Sequence, residues 1–198
     1  MGNLQRFRTV NLPSRHRPLW VILLIVFILL LWGIRTYNGF IKTEEKMVQS
    51  WSQVENVYQR RMDLIPNLVS VVKTYSDYEN KTLVEVVEKR ALQAKQTTLR
   101  PEDMTQEQLS GFENAQQLLD DAVSEVIVSI ENYPELKAME SYQTFLAQYE
   151  GSENRILVER KRYNEMITDY NRTIRKFPNN LIAKLFGFEE KPHFGIES

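Results

Sequence analysis

Hydrophobic residues recur at alternating three- and four-residue spacings along four stretches of the chain, a pattern typical of helices that bury one face. The pattern predicts helices over residues 36–65, 67–96, 104–132 and 135–177. Pro66 and Pro134 stand where the second and fourth helices would begin, a position that tolerates the missing amide of proline. Similar lengths and short connections favour an antiparallel four-helix bundle. In the alternative, Pro66 only kinks one very long helix, which gives a three-helix rod.

A run of sixteen uncharged residues, 19–34, precedes these stripes. As a helix it would be about 24 Å long, slightly less than a hydrocarbon core of about 30 Å. Trp20 and Trp32 lie near its ends, where indole rings favour the membrane interface. A cleaved signal peptide and a buried core helix are the alternatives. The bulky, basic sequence after the run lacks a small-residue cleavage site, and the run has no polar face, so both are disfavoured.

The predicted fold class is therefore all-α, with an N-terminal transmembrane helix followed by an antiparallel four-helix bundle. The predicted divisions are a basic N-terminal tail, a transmembrane anchor, the four-helix bundle, and a short amphipathic segment with the C-terminal tail: 1–18, 19–35, 36–178 and 179–198. Four arginines precede the apolar run, and Arg35, Lys42 and Lys46 follow it. The slightly larger number of basic residues before the run than after it favours a cytoplasmic N-terminus and an extracytoplasmic bundle.

The overall charge balance of 25 basic and 26 acidic residues conceals an uneven distribution. Five arginines lie within the first 35 residues, so residues 36–198 carry 20 basic and 26 acidic residues and a net charge of −6. Such a body does not favour nucleic-acid binding, which requires a basic surface. The chain has no cysteine, which excludes disulfides, thiolate nucleophiles and cysteine-bound metal clusters.

The sequence also contains few residues that could be catalytic or bind a metal. The two histidines are His16 and His193, and neither lies within the predicted helices. A di-iron Glu-x-x-His site and a Ser-His-Asp triad are therefore missing, and the isolated glycines form no phosphate-binding loop. We predict no catalytic residue, no metal site and no cofactor, and hence a protein that is not an enzyme.

Polar residues interrupt the apolar stripes at five positions: Glu44, Arg61, Gln116, Glu153 and Arg160. They could form a buried ionic layer that binds a ligand or transmits a signal between helices. They could equally form a polar layer that fixes helix register, or lie at the edge of the seam and reach water. The sequence leaves these three interpretations open.

Other features of the fourth stripe have a structural explanation. Gly151 is unfavourable within a helix and is predicted to permit a close helix contact; the alternatives are local bending, or a glycine tolerated in a long helix held by packing. The heptad-spaced tyrosines are predicted to belong to the core rather than to a recognition surface: Tyr142, Tyr149, Tyr163 and Tyr170.

If the helices alternate in direction, the chain returns to the bilayer after residue 177. The segment there carries five large apolar residues, which are candidates for a membrane-surface contact: Leu181, Ile182, Leu185, Phe186 and Phe188. Because the segment is short and weakly basic, we favour the alternative, a tail folded over the open end of the bundle.

Several long motifs resemble those of the LemA family: WSQVE at 51–55, RRMDLIPNLVSVVK at 60–73, YPELKA at 133–138, EGSENRI at 150–156 and KRYNEMITDYNRTIRKFPNNLIAKLFGF at 161–188. The resemblance implies a bacterial membrane-anchored protein with an antiparallel four-helix body, which supports a turn at Pro66. It carries no established biochemical activity and therefore no catalytic residues. Genes of the family often neighbour those of membrane-bound metalloproteases or other envelope proteins, which is an associational hint.

The combined prediction is a non-enzymatic, single-pass protein of the bacterial cytoplasmic (inner) membrane with an extracytoplasmic or periplasmic bundle. It would serve as an interaction or scaffold protein, or as an accessory subunit in the envelope. The predicted partners are the lipid bilayer and either a membrane or envelope protein, a membrane protease among the candidates, or a second copy of the chain. The alternative is a ligand-binding sensory module that acts through a partner protein.

Overall fold

The computed structural model describes residues 17–74, 78–97, 99–102 and 104–195. Most of the predicted basic tail, 1–18, lies outside these residues. The described residues form α-helices and no strand: α1 (Arg17–Thr74), α2 (Tyr78–Gln96), α3 (Gln106–Ile130), α4 (Pro134–Lys137), α5 (Glu140–Arg175) and α6 (Asn179–Phe186). The all-α prediction is confirmed.

The predicted helix boundary at Pro66 is wrong, because α1 continues through Pro66 to Thr74. Pro66 lies on the exposed face of the helix, where its ring does not disturb the buried stripe. Leu68 and Val72 continue the buried stripe beyond it, so packing outweighs the lost hydrogen bond. The long three-helix rod is also not observed, since the helix ends at Thr74 and α2 packs back against it.

The long helices alternate in direction around a core of three apolar clusters. α1 packs along α5, and α2 packs against both α1 and α3. At the end far from the apolar run, Val72 of α1 shares a core with Ile130 of α3 and Tyr142 of α5. At the near end, Phe40 of α1 shares a core with Ile174 at the end of α5. α5 therefore returns towards the apolar run while α1 leads away from it.

Local signals fix the starts of the later helices. Thr105 caps α3 by accepting a hydrogen bond from the Gln108 amide at 3.2 Å, and the Gln108 side chain accepts one from the Thr105 amide at 2.9 Å. Pro134 occupies the first turn of α4, as predicted, but this helix ends at Lys137. The predicted fourth helix is thus divided into short α4 and long α5.

The apolar part of α1 stands free of the packed body. Each side chain from 19 to 31 is exposed, and this helix is long and apolar enough to cross a membrane. A buried core helix is thereby excluded as its explanation. Trp20 is exposed and Trp32 is half-buried, which places the start of the packed body at the second tryptophan.

The C-terminal segment, residues 188–195, is bound along α5. The Asn171 side chain exchanges hydrogen bonds of 2.9 Å with both backbone polar groups of Lys191. Two turns earlier, Asn164 does the same with Phe194, at 3.2 and 2.9 Å. The Phe194 ring is buried and stacks on Trp51 with 5.7 Å between ring centroids. This part of the predicted tail therefore completes the core between α1 and α5.

Candidate functional site

Three helices meet around a buried guanidinium in the middle of the body. Arg61 of α1 is 1% exposed and donates from Nη1 to Asp120 of α3 and to Glu153 of α5, with closest distances of 2.6 Å to each. Its Nη2 donates to Gln116 Oε1 at 2.7 Å. Tyr149 of α5 donates its hydroxyl to Asp120 Oδ1 at 2.6 Å. We call these five residues the Arg61 cluster.

The electrostatics of the Arg61 cluster favour one protonation pattern. Burial lowers the pKa of the Arg61 guanidinium, but the Asp120 and Glu153 carboxylates outweigh this effect and the pKa is raised overall. Burial, reinforced by the charge of Asp120, raises the pKa of the Tyr149 hydroxyl. Burial also raises the pKa of Asp120, against the opposing effect of Arg61. Arg61 therefore stays charged and Tyr149 stays a hydrogen-bond donor at neutral pH.

Arg61 is buried at the centre of the cluster, but the hydrogen-bonding groups of the cluster are not all satisfied. Arg61 Nε and Gln116 Nε2 are buried and make no hydrogen bond to any described residue. A buried unsatisfied donor costs about 1–3 kcal/mol, so this arrangement is not optimised for stability alone. The ring of Tyr58, 5.1 Å from the guanidinium carbon, covers one side of Arg61. Such geometry suits a polar layer that selects one alignment of α1, α3 and α5.

A second charged pair lies two turns closer to the apolar run. Arg160 of α5 donates from Nη2 to Glu113 of α3 at 2.6 Å and to the carbonyl of Gly195 at 3.0 Å. The Gly195 amide donates to the same Glu113 carboxylate at 3.1 Å. The Arg160 guanidinium carbon lies 4.8 Å from the Phe194 ring centroid. This pair fastens the C-terminal segment to the helices.

The five polar residues predicted from the stripes fall into three places. Arg61, Gln116 and Glu153 come together, and Arg160 belongs to the separate pair with Glu113. Glu44 is half-buried near the end of the body and lines a shallow groove with Tyr170 and Glu102. One continuous layer of all five is not observed.

Sequence reasoning missed two members of the Arg61 cluster and the anchor of the C-terminal segment. Asp120 stands beside an apolar stripe position rather than on it. Tyr149 counts as apolar in the periodic pattern, although its hydroxyl donates a hydrogen bond to Asp120. Phe194 follows the last helix, where no periodic signal exists. The asparagines that bind this segment, Asn164 and Asn171, lie on α5, and the sequence does not show what they bind.

The five apolar residues of the predicted membrane-surface contact divide into two sets. Ile182 and Phe188 are half-buried and pack with Phe40 at the near end of the core. Leu181 and Leu185 are exposed. Phe186 is more than half exposed, and its ring contacts Tyr37 with a centroid distance of 5.0 Å.

The described residues contain no group of three or more His, Cys, Asp or Glu side chains that could hold a metal ion. The two carboxylates of the Arg61 cluster, Asp120 and Glu153, instead share one cation of the chain itself, the Arg61 guanidinium. The hydrogen bonds and ion pairs of Arg61 link α1 to both α3 and α5.

The fold and the exposed apolar helix define a helical protein of the membrane-associated class. The sequence pattern of the LemA family matches residues 50–198, three quarters of the chain. The chain belongs to the LemA family. The matched residues begin beyond the apolar run, so membership rests on the packed body and its C-terminal segment.

Similar proteins occur in magnetic bacteria. They include magnetosome proteins MamQ 1 and MamQ 2 of Paramagnetospirillum magneticum (strain ATCC 700264 / AMB-1) and magnetosome protein MamQ of Magnetospirillum gryphiswaldense (strain DSM 6361 / JCM 21280 / NBRC 15271 / MSR-1). Each is 25% identical over 190 residues, which covers 88% of this chain and 69% of the relative.

Proposed function

We propose that this protein is a non-enzymatic, single-pass scaffold or accessory subunit of the bacterial cytoplasmic membrane. The observation that carries the proposal is the continuity of α1, which runs from the exposed apolar run into the packed body without a break. A body joined in this way is held at a defined orientation to the membrane. A body with a fixed orientation can present the same surface to another protein in the membrane.

The closed state of the charged clusters supports a non-enzymatic role. Arg61 is covered by Tyr58 and bonded to three side chains of the same chain, so a substrate would have to break these bonds to reach it. Arg160 is likewise engaged by Glu113 and by the C-terminal segment. The same closure means that the charged clusters do not offer the accessible ligand site that the sensory alternative requires.

A groove between α1 and α2 supports a protein partner. It has a volume of about 920 Å³ and an apolar floor that includes Met62, Val69 and Ala91. Leu92 projects at its side with 60% exposure, and the Lys73–Glu88 ion pair of 2.8 Å crosses one end. An apolar floor with charged margins matches an amphipathic helix. We assign the groove to such a helix of an envelope protein.

The position of this groove restricts the partner. It extends from Gln59 to Thr74 along α1, about 22 Å, which fits roughly four helical turns. Counted from residue 34, it begins about 37 Å beyond the apolar run. A partner that reaches it must have a substantial part outside the bilayer, as a membrane protease with an extramembrane domain would.

A photo-crosslinking residue at Leu92 in intact cells tests the proposal. Leu157 of α5, 56% exposed, is the matched control because it is similarly apolar and lies outside the groove. We expect a discrete protein adduct from the Leu92 position and none from Leu157. Ala91→Arg, which fills the groove, should abolish the adduct. Equal adducts from both positions, or none from Leu92, would refute this assignment.

The proposed side of the membrane follows the arginine distribution, with the body outside the cytoplasm. The chain has no cysteine, so Glu107→Cys at the exposed start of α3 provides a single reactive thiol. Labelling of intact cells with a membrane-impermeant maleimide is the expected result. Labelling only after lysis would place the body in the cytoplasm.

A further inference from the structure

α6 lies against α1 where the apolar run ends. Ile182 Cδ1 is 3.9 Å from the position that a Cβ at Gly33 would occupy. The Tyr37 ring contacts Phe186 and Phe188, with centroid distances of 5.0 and 5.7 Å. α6 is therefore held at the level of residues 33–37, within one turn of the last residue of the apolar run.

One side of α6 faces the body and the other faces away from it. Ala183 is buried and Ile182 is half-buried against α1. On the outward side, Leu185 is 74% exposed and Leu181, one turn earlier, is also exposed. Phe177, just before α6, is 75% exposed and adds to the same region of the chain. Large apolar side chains at this level are unusual for a surface in contact with water.

α6 itself carries no acidic side chain, whereas Glu44, Glu189 and Glu190 lie beside its C-terminal end. No acidic residue occurs between 170 and 188, whereas Arg175, Lys176 and Lys184 are all exposed. Arg175 lies 3.7 Å from Glu190, which follows the segment, so the positive charge of α6 itself comes from Lys184, and Lys176 stands three residues before the helix. Basic side chains beside exposed leucines and phenylalanine are the composition of helices that lie on anionic membranes.

We propose that Phe177 and the outward side of α6 insert into the lipid interface beside α1 and form a second membrane attachment. The inference rests on the proposed membrane-spanning role of α1. The bilayer is the occupant because α6 directly adjoins the point where α1 enters it, so the exposed leucines meet lipid before any protein partner. Attachment through α6 limits rotation of the body about the axis of α1.

Depth-dependent fluorescence quenching tests the inference on the full chain in vesicles of phosphatidylethanolamine and phosphatidylglycerol. Three single-cysteine variants carry a bimane label: Leu185→Cys on α6, Leu24→Cys in the apolar run, and Leu157→Cys on the exposed side of α5. All three positions are exposed, so the substitutions leave the packed core intact. Lipids with a spin label near the headgroup or deep in the acyl chain serve as quenchers.

Shallow quenchers should quench the Leu185 label several-fold more than the Leu157 label, with deep quenchers less effective. The Leu24 label should respond most to deep quenchers, which reports the α1 anchor independently. Quenching at Leu24 without quenching at Leu185 would overturn the α6 attachment alone. Absence of quenching at Leu24 would overturn the anchor and the attachment together. A Leu185 label that is shielded from water but insensitive to lipid quenchers would identify a protein contact and overturn the inference.

Discussion

Substitution of Arg61 by methionine tests whether the Arg61 cluster stabilises the alignment of α1, α3 and α5. Methionine keeps much of the side-chain volume but removes every bond to Asp120, Glu153 and Gln116. Removal of one partner from a buried ion pair costs about 3–5 kcal/mol, because the remaining charge is left without compensation. Glu153 is 42% exposed and can regain water. We therefore expect a loss of about 3 kcal/mol in the free energy of unfolding, at the lower end of that range.

Arg162→Met is the matched control on α5. Its Nη1 lies 2.6 Å from Glu159 Oε1, the same distance as between Arg61 and Glu153, but the Arg162 side chain is exposed. Exposed pairs of this kind contribute about 0–1 kcal/mol. The comparison separates the effect of burial from the effect of contact distance.

The assay is urea unfolding of the full chain in detergent micelles, followed by the helical circular dichroism signal. The difference between variants is taken at constant slope against urea concentration, since a changed slope would indicate an altered unfolded or folded state. If Arg61→Met costs no more than Arg162→Met, the cluster does not stabilise the fold and its role must be sought elsewhere.

Three further predictions use the same preparation. Gly151→Ala should raise the free energy of unfolding by about 0.5–1 kcal/mol, because Gly151 is exposed in α5 with no atom within 4 Å of an added Cβ; a loss would indicate a contact absent from this structure. Phe194→Ala should lower it by about 3–5 kcal/mol through loss of a buried ring, and a loss under about 1 kcal/mol would show that the C-terminal segment is dispensable. Burial raises the pKa of Tyr58 and Tyr170 to about 12, so between pH 10 and 12 the folded state retains protons that the unfolded state releases, and stability should fall as pH rises through this window. Tyrosinate absorbance measured beside circular dichroism checks this, and full ionisation near pH 10 with intact helices would contradict it.

Helical periodicity predicted the fold class and most of the core, because a helix that buries one face has apolar residues at three- and four-residue spacings. The heptad-spaced tyrosines on α5 are all buried, in agreement with their predicted core role. Pro66 was misassigned because the same residue type suits a helix start and an exposed position within a helix. The apolar stripe continues through Leu68 and Val72, which indicates a position within a helix. This continuation is a stronger signal than the proline itself.

The close-contact role predicted for Gly151 is wrong, because an added Cβ there would meet only open space. Periodicity located Arg61 as a polar interruption but not its partner Asp120, which occupies a position beside the stripe. Pairing across helices depends on their rotation about their axes, and a single sequence does not specify this rotation. Phe194 escaped prediction for a related reason, since its asparagine partner on α5 is thirty residues away.

Because α1 is continuous, a tilt of its apolar part also moves the far end of the packed body. Thr74 lies forty residues beyond Ile34, so the far end of the helix stands about 60 Å from the end of the apolar run. Transmembrane helices adopt tilts of about 20° on average. Over the length of about 60 Å, a tilt of that size would displace the far end sideways by about 20 Å. Variations in bilayer thickness, which alter tilt, would thereby be magnified into large displacements at the groove between α1 and α2.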